Sequence, residues 1–175
     1  MNVKQAQLKD IFDYVDGVLV WKVRPESHFS SRRVANIFNA QFSGKPSGTP
    51  DKYGYVVINI GGKQHKAHRV IWEMHHGEIP EGLHIDHING VKNDNRLSNL
   101  RLATRSQNLC NRAKTKVNIS GFKGVSWSNG FGKWRASIVR HNKHLFLGHF
   151  NTPEEAHSVY CEAANKFHGE YARTT

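Results

Sequence analysis

The sequence has little cysteine and no long apolar run. Cys110 and Cys161 are the only cysteines in 175 residues. Two are too few for a zinc site built from cysteine pairs or for the disulfide framework of a small secreted domain. We therefore expect reduced thiols and no structural zinc. No stretch predicts a membrane helix, and the N-terminus lacks the apolar core of a secretory signal, so the sequence predicts a cytoplasmic protein with no membrane partner.

Acidic residues are also scarce. The chain has 14 Asp plus Glu against 25 Lys plus Arg, which gives a formal net charge of +11. No acid lies between Arg101 and Phe150, where ten basic residues occur. Because an ordinary solvated face mixes both signs, this segment predicts a surface that binds a polyanion. A membrane surface is the competing partner, but no strongly amphipathic basic helix is evident in the sequence.

The residues that carry chemistry are concentrated between positions 84 and 108. Apolar and polar residues alternate over 83–88, a polar loop follows, and apolar residues recur after it at Leu97, Leu100 and Leu102. This pattern predicts two strands of a hairpin. Thr104 and Gln107 have capping-box spacing, which predicts that a helix begins directly after the second strand.

These elements would bring an acid, a base and two amides together. Asp86 supplies a carboxylate, His87 an imidazole, and Asn99 and Asn108 supply amide oxygens. Carboxylate and amide oxygens suit a hard divalent cation and leave positions for phosphate and water. An imidazole readily exchanges a proton near neutral pH. Taken singly, these residues are better explained by turns and helix caps, and the spacing alone supports only a metal-site hypothesis.

The joint pattern is similar to the active site of the HNH (His-Asn-His) homing endonucleases of phages and introns, which have a ββα-metal fold. The resemblance implies that His87 is the general base, that Asn99 braces the loop and orients that histidine, and that Asp86 and Asn108 hold one divalent cation, Mg²⁺ or Mn²⁺. The last family position is often histidine, and here it is Asn108. The resemblance also implies DNA hydrolysis to 5′-phosphate and 3′-hydroxyl ends in a bacterial or phage-infected host cell.

A second pattern begins at Gly121. Three short strand patterns precede Thr152-Pro153-Glu154-Glu155, which has the cap, the first-turn proline and the capping-box glutamate of a helix start. Period-two alternation predicts that Trp134, Ala136 and Ile138 face this helix. The residues between them on the middle strand should then lie on the opposite face.

This half resembles the APETALA-type ethylene-response-factor DNA-binding domain, through Lys123-Gly124-Val125, Gly132-Lys133-Trp134 and Phe146-Leu147-Gly148-His149-Phe150. In that family the sheet enters the major groove. With the neighbouring basic residues, the predicted DNA-binding set is Arg105, Lys114, Lys116, Lys123, Ser126, Ser128, Lys133, Arg135, Ser137, His144 and Phe146. Ser126, Ser128, Val139 and His144 stand where the family commonly has arginine, so its GC-rich preference is not carried over.

The N-terminal part of the chain predicts supporting structure. Asp16-Gly17 predicts the turn of a first hairpin and Gly61-Gly62 that of a second. Residues 24–50 are rich in Ser, Arg, Asn, Gly and Pro and predict a long basic surface loop, which either contacts phosphates or is solvated. Ala67–His76 predicts a buried helix. The nearby histidines allow a second metal site, but a structural role is favoured because no recognisable ligand spacing occurs.

Together these patterns predict an α+β protein: N-terminal β hairpins with a ββα-metal active site, then a separate three-stranded antiparallel sheet packed on one helix. Residues 1–113 form the HNH endonuclease module, 114–118 a basic linker and 119–175 the DNA-binding domain. The predicted partner is double-stranded DNA, and the expected state is a monomer, with a dimer as the alternative. The competing function is a non-catalytic, sequence-specific DNA-binding regulator; structured RNA is a weaker alternative ligand.

Overall fold

The computed structural model describes residues 5–112, 118–140 and 143–174. Its contacts divide the chain into two compact units, Met1–Leu102 and Ala103–Thr175. The division comes before the boundary expected at residue 113, and the assignment of the two modules stays a prediction. Lys114, Lys116 and most of the expected linker lie outside the described residues. In the described part of the chain, no helix is long and apolar enough to cross a membrane.

The first unit contains three small sheets and three helices. The elements are α1 (Gln5–Ile11), β1 (Phe12–Val15), β2 (Val18–Trp21), a 3₁₀ turn (Glu26–His28), α2 (Arg32–Phe42), β3 (Thr49–Pro50), β4 (Val56–Ile60), β5 (Lys63–Lys66), α3 (Ala67–His76), β6 (Leu83–His87), a 3₁₀ turn (Leu97–Asn99) and β7 (Leu100–Thr104). Strands β1 and β2 form an antiparallel hairpin, β3, β4 and β5 form a second sheet, and β6 pairs with β7. Both predicted hairpins and the helix over 67–76 are confirmed.

One hydrophobic core anchors the β6–β7 pair. Helix α3 contributes Val70 and Ile71, which follow one another on its buried face, and β4 contributes Ile58. Ile85 of β6 and Leu100 of β7 belong to the same cluster. Burying each such side chain stabilises the fold by about 1.5–3 kcal/mol. The polar residues beside Ile85 and Leu100 are therefore attached to strands whose apolar residues are fixed in this core.

The prediction of a long loop over 24–50 is wrong in its centre, where helix α2 lies. Ser31 caps the helix by accepting a hydrogen bond in its first turn. Ala35 is buried and Phe38 packs edge-on against Trp21, with ring centroids 5.2 Å apart. These two residues are three apart and so share a helix face. The composition of the segment suggested a loop, although this apolar spacing indicates a helix.

The second unit is a three-stranded antiparallel sheet with two helices. The elements are α4 (Arg105–Cys110), β8 (Val125–Ser128), β9 (Lys133–Arg140), β10 (Lys143–Phe150), α5 (Pro153–His168) and a 3₁₀ turn (Gly169–Tyr171). The strands lie in the order β10–β9–β8, and the longer helix, α5, packs on one face of the sheet through Ala156, Tyr160 and Ala163. Ala136 and Ile138 are buried in the clusters that contain these α5 residues, which confirms the predicted alternation of β9.

Two glycines shape this sheet. Gly124, just before β8, has φ +77°, and a β-carbon there would overlap the ring of Tyr160. Only glycine therefore permits α5 to approach this closely. In β10 the pairing register shifts between Phe146 and Gly148. This bulge adds one residue to the strand, so residues that follow it lie on the opposite face from the one that simple alternation predicts.

The α+β fold class expected from the sequence is confirmed by the mixture of helices and small antiparallel sheets.

Candidate active site

Asp86 and His87 are the last two residues of β6, and each is only 5% exposed. A buried carboxylate is costly unless it is paired. Arg101 of β7 supplies the partner, because its Nε and Nη2 donate to Asp86 Oδ2 at 3.0 and 2.9 Å. The pairing of β6 with β7 places this arginine beside Asp86. In the sequence Arg101 was counted only among the basic residues, since its role depends on how the two strands pair.

Asn95 holds the imidazole of His87. Its side-chain oxygen lies 3.0 Å from His87 Nε2, and Asn95 is 2% exposed. An amide oxygen only accepts hydrogen bonds, so with this amide orientation Nε2 carries the hydrogen. Nδ1 is then the ring nitrogen that can take up a proton. Sequence reasoning missed Asn95, because an Asn-Asp-Asn-Arg run is typical of a turn.

Asn99 braces the loop between β6 and β7. Its Oδ1 accepts from the backbone N–H of Asn89 at 3.0 Å, and its Nδ2 donates to Asn89 Oδ1 at 3.0 Å and to the Asp94 carbonyl at 2.7 Å. Asn95 belongs to the loop that Asn99 holds. This geometry supports the bracing role predicted for Asn99, while its catalytic importance stays a prediction.

Further contacts hold the same loop from outside. Arg96 Nε and Nη2 donate to the carboxylate of Asp94 at 2.8 and 2.6 Å, and these bonds lower the pKa of Asp94. The backbone N–H of Leu97 donates to Tyr14 Oη at 3.0 Å. Gly17 approaches the loop so closely that a β-carbon would lie 2.8 Å from Arg96 N. The β1–β2 hairpin thus supports the loop that positions His87.

His68 of α3 packs against His87. The two rings meet edge to face with centroids 5.0 Å apart, and His68 is 7% exposed. Its Nδ1 is buried without a hydrogen-bond partner among the described residues. Burial, followed by the neighbouring His87, lowers the pKa of His68 to about 3. His68 is therefore neutral near pH 7. The sequence favoured a structural role for it and did not identify it as a neighbour of the proposed base.

Asn108 lies in α4, in the second unit, and is half-buried. Thr104 caps this helix and forms the predicted capping box with Gln107. No group of three or more His, Cys, Asp or Glu side chains in the described residues could hold a metal. The predicted ligands are one carboxylate, that of Asp86, and one side-chain amide, that of Asn108. Hard divalent cations prefer oxygen ligands of these kinds. Each residue type suits such an ion, and the role of both residues as ligands stays a prediction.

Lys123 differs from the other residues of the predicted DNA-binding set. It lies before β8, and its Nζ donates to the carbonyl of Cys110, the last residue of α4, at 2.5 Å. Burial lowers the pKa of Lys123 to about 8. His168 also contacts the end of this helix, with its Nδ1 3.1 Å from Cys110 Sγ. In this structure Lys123 supports α4 and does not lie among the exposed residues of the sheet.

The sheet face that α5 leaves uncovered is termed the outer face. Strand pairing aligns Ser126 with Arg135 and Phe146 with Ser137. The outer face comprises Ser126, Ser128, Lys133, Arg135, Ser137, Val139, His144, Phe146 and His149. His149 was not predicted to lie there; it pairs with Arg135 because of the β10 bulge. The outer face therefore contains seven of the predicted DNA-binding residues, drawn from all three strands, while the predicted Arg105 lies exposed on α4.

Comparison with known proteins identifies a matching family and two related sequences. A family model described as HNH endonuclease matches residues 65–110, a segment that runs from His65 to Cys110 and includes each proposed active-site residue. Protein 3.8 of Escherichia phage T7 is 35% identical over 111 residues, 63% of this chain and 91% of that protein. An uncharacterized HNH endonuclease, L560, of Acanthamoeba polyphaga mimivirus is 35% identical over 122 residues, 69% of this chain and 62% of that protein.

A different kind of relative matches a shorter segment. The AP2-like ethylene-responsive transcription factor ANT of Arabidopsis thaliana is 46% identical over 55 residues, which cover 30% of this chain and 10% of that protein. The similarity is confined to a small part of both sequences.

Proposed function

The chain belongs to the HNH endonuclease family, and from that premise we propose that it is a metal-dependent, homing-type enzyme that hydrolyses the phosphodiester bonds of double-stranded DNA. The buried Asp86–His87 pair, held by Arg101 and Asn95, is the observation that carries this proposal. The products would be 5′-phosphate and 3′-hydroxyl ends. One active site per chain suits the cutting of one strand, and cleavage of both strands would need a second chain or a second encounter.

His87 acts as the general base in this proposal. Its Nδ1 takes a proton from the attacking water while Asn95 retains the hydrogen on Nε2 and thereby fixes the tautomer. Asn99 acts one step further away, by holding the loop that carries Asn95. The edge of His68 limits rotation of the His87 ring. These contacts support the proposal because they orient the His87 ring before a substrate arrives, which avoids the cost of ordering it during the reaction.

Asp86 and Asn108 would hold the divalent cation, Mg²⁺ or Mn²⁺. When bound, the cation supplies stabilisation of the negative charge that develops on the phosphate and on the leaving 3′ oxygen. Arg101 fixes Oδ2 of Asp86 and balances its charge in the buried site. The hydrogen bonds from its Nε and Nη2 are both accepted by this one oxygen.

The second unit is proposed to bind DNA through its outer face. Lys133 and Arg135 are exposed there, and no acid occurs between Arg101 and Phe150. The similarity to part of a plant AP2-like transcription factor supports this role. Phosphate contacts from Lys and Arg supply affinity that depends on salt, and base contacts supply selectivity.

A plasmid-nicking assay tests the catalytic proposal. The full chain is incubated with supercoiled DNA and Mg²⁺ or Mn²⁺, and the ends are analysed by ligation and by 5′-labelling. We expect metal-dependent nicks that DNA ligase seals, and we expect Asp86→Asn to remove most of the activity while His84→Ala, an exposed position on the same strand, retains it. DNA binding without metal-dependent cleavage would instead support the non-catalytic regulator, and preferential competition by structured RNA would contradict DNA as the partner.

A further inference from the structure

Two outer-face residues and one residue of the adjoining turn form an exposed aromatic cluster that has no role in the proposed nuclease reaction. Phe131, in the turn before β9, stacks on His149 with ring centroids 4.3 Å apart and an interplanar angle of 28°. Phe146 lies 4.9 Å from the same histidine ring. The guanidinium of Arg135 lies over the Phe146 ring at 5.7 Å. We call Phe131, His149 and Phe146 the aromatic pad.

The pad is exposed to a degree that folding alone does not explain. Phe131 is 70% exposed and Phe146 is 55% exposed, whereas Ala136 and Ile138 of the same sheet are buried beneath α5. Large apolar side chains that cluster on a surface usually mark a binding site. Because the pad depends on the β10 bulge, which brings His149 onto the outer face beside Phe146, its position is built into the fold.

The charge around the pad favours DNA as its partner. Arg135 and Lys133 lie on the same face, and the acid-free segment from Arg101 to Phe150 contains all three strands. Three strands spaced about 4.8 Å apart make a face roughly 10 Å wide. A face of that width suits the major groove, about 12 Å wide, and is too broad for the minor groove of about 6 Å.

The major groove offers one apolar group to such a pad, the C5 methyl of thymine. We propose that the aromatic pad reads 5-methylpyrimidines, and that Phe146 and Phe131 contact these methyl groups while Arg135 contacts a neighbouring phosphate or base edge. This inference rests on the proposed DNA-gripping function of the outer face. Ser126 and Ser128 stand where the related DNA-binding family commonly has base-reading arginines. The aromatic pad would supply sequence selectivity in their place.

Insertion of a single ring between base pairs is the alternative use of an exposed phenylalanine. The geometry favours the methyl contact. Phe131 and Phe146 each contact His149, and Arg135 lies over Phe146, so the rings form a continuous surface. A ring that inserts between base pairs must instead project beyond the side chains around it.

Thymine and uracil differ only by the methyl group, which gives a direct test. The full chain carrying His87→Ala, which should not cut, is titrated by fluorescence anisotropy against an alternating adenine–thymine duplex and its adenine–uracil counterpart. A guanine–cytosine duplex and its guanine–5-methylcytosine counterpart test the effect of the same methyl group in a different base sequence. We expect the methylated member of each pair to bind about fourfold more tightly for each methyl contacted, from the free energy of burying one carbon group.

Two variants and one matched control locate the effect. Phe146→Ala and Phe131→Ala should each reduce the difference between methylated and unmethylated duplexes. Trp127→Ala should retain that difference, because Trp127 is also exposed but pairs with Trp134, outside the outer face. Circular dichroism and thermal melting of each variant show that the sheet is intact.

The outcomes separate this inference from the function on which it rests. Firm binding to all four duplexes with no effect of the methyl group overturns the inference and leaves the DNA-binding function in place. Failure to bind any of the duplexes overturns both. Unstacking of a 2-aminopurine reporter placed in the adenine–thymine duplex identifies an inserted ring and overturns the methyl contact.

Discussion

The two units place polar and apolar side chains in opposite surroundings. In the first unit, Asp86, His87 and Asn95 are buried and hydrogen-bonded, although residues of these types are usually exposed. In the second unit, Phe146 on the sheet and Phe131 in the turn before β9 are exposed, although phenylalanine is usually buried. Each unit departs from the common pattern in a different direction.

The proposed functions account for this difference by the time at which each group meets its partner. Groups that move protons or hold a cation must already be oriented when the substrate arrives, so their burial is offset by permanent hydrogen bonds. Groups that recognise DNA keep their binding surface accessible until the complex forms. Substitutions in the first unit should therefore alter rate or stability, and substitutions on the outer face should alter affinity.

The largest effect is expected from His87→Ala. Loss of a general base lowers the rate of cleavage by roughly 10²–10⁴-fold, and no phosphate contact is removed, so DNA affinity should change little. Single-turnover cleavage and anisotropy binding measured on the same preparation check both parts. The exposed His84→Ala on the same strand is the control, and retention of more than half of the activity by His87→Ala would exclude it as the base.

Asn95→Ala should give a smaller loss of rate. The oxygen that holds His87 Nε2 disappears, the imidazole can adopt either tautomer, and cleavage should fall by about 10–100-fold with unchanged DNA affinity. Nitrogen-15 shifts of the histidine ring would report the loss of a single tautomer. Asn93→Ala, at an exposed position of the same loop, should leave both the rate and these shifts unchanged. A normal rate in Asn95→Ala would assign Asn95 to stability alone.

Features that depend on neighbouring residues were predicted from the sequence, and features that depend on tertiary contacts were not. The capping boxes at Thr104 and Thr152 and the turn at Asp16-Gly17 depend on neighbouring residues, and each was predicted correctly. Asp86 and His87 were recognisable from a joint motif. Asn95 and Arg101 were missed because their roles depend on the fold of a loop and on strand pairing, which no local spacing reveals.

The outer face shows the same limit. Alternation correctly separated Ala136 and Ile138 from Arg135 and Ser137, because β9 is regular. His149 was missed because one extra residue in β10 reverses the alternation, and a bulge has no reliable sequence signal. Lys123 was expected on this face, but β8 begins after it and its ammonium turns to α4.

The burial of His68 should make the stability of the fold depend on pH. Its pKa falls from about 6.5 to about 3 on folding, mainly through burial, so the unfolded chain binds a proton in this range that the folded chain does not. Stability should therefore fall as pH is lowered from about 6.5 toward 3, by about 2 kcal/mol at pH 5 from this group. Between pH 7 and 5, His68→Phe should lose less stability than the parent in urea titrations, whereas the exposed His28→Phe should lose as much.

The smallest effect is expected from a single cation of the outer face. If Lys133 contacts one phosphate, Lys133→Ala should reduce the slope of log affinity against log salt by about 0.9. Lys166→Ala on α5, which lies behind the sheet, should leave the slope unchanged. Both are measured in the chain carrying His87→Ala. Equal slopes for the two variants would remove Lys133 from the interface.

The contacts at the end of α4 determine where a chimera between this protein and a relative should be joined. The helix that carries Asn108 belongs to the second unit, and Lys123 and His168 hold its last residue, Cys110. A chimera joined near residue 113 would give α4 a foreign neighbour and remove both contacts. A chimera that exchanges α4 together with the sheet and α5 would retain them. Donor sequences for such an exchange should therefore be chosen to begin before α4, and the acceptor should end within β7.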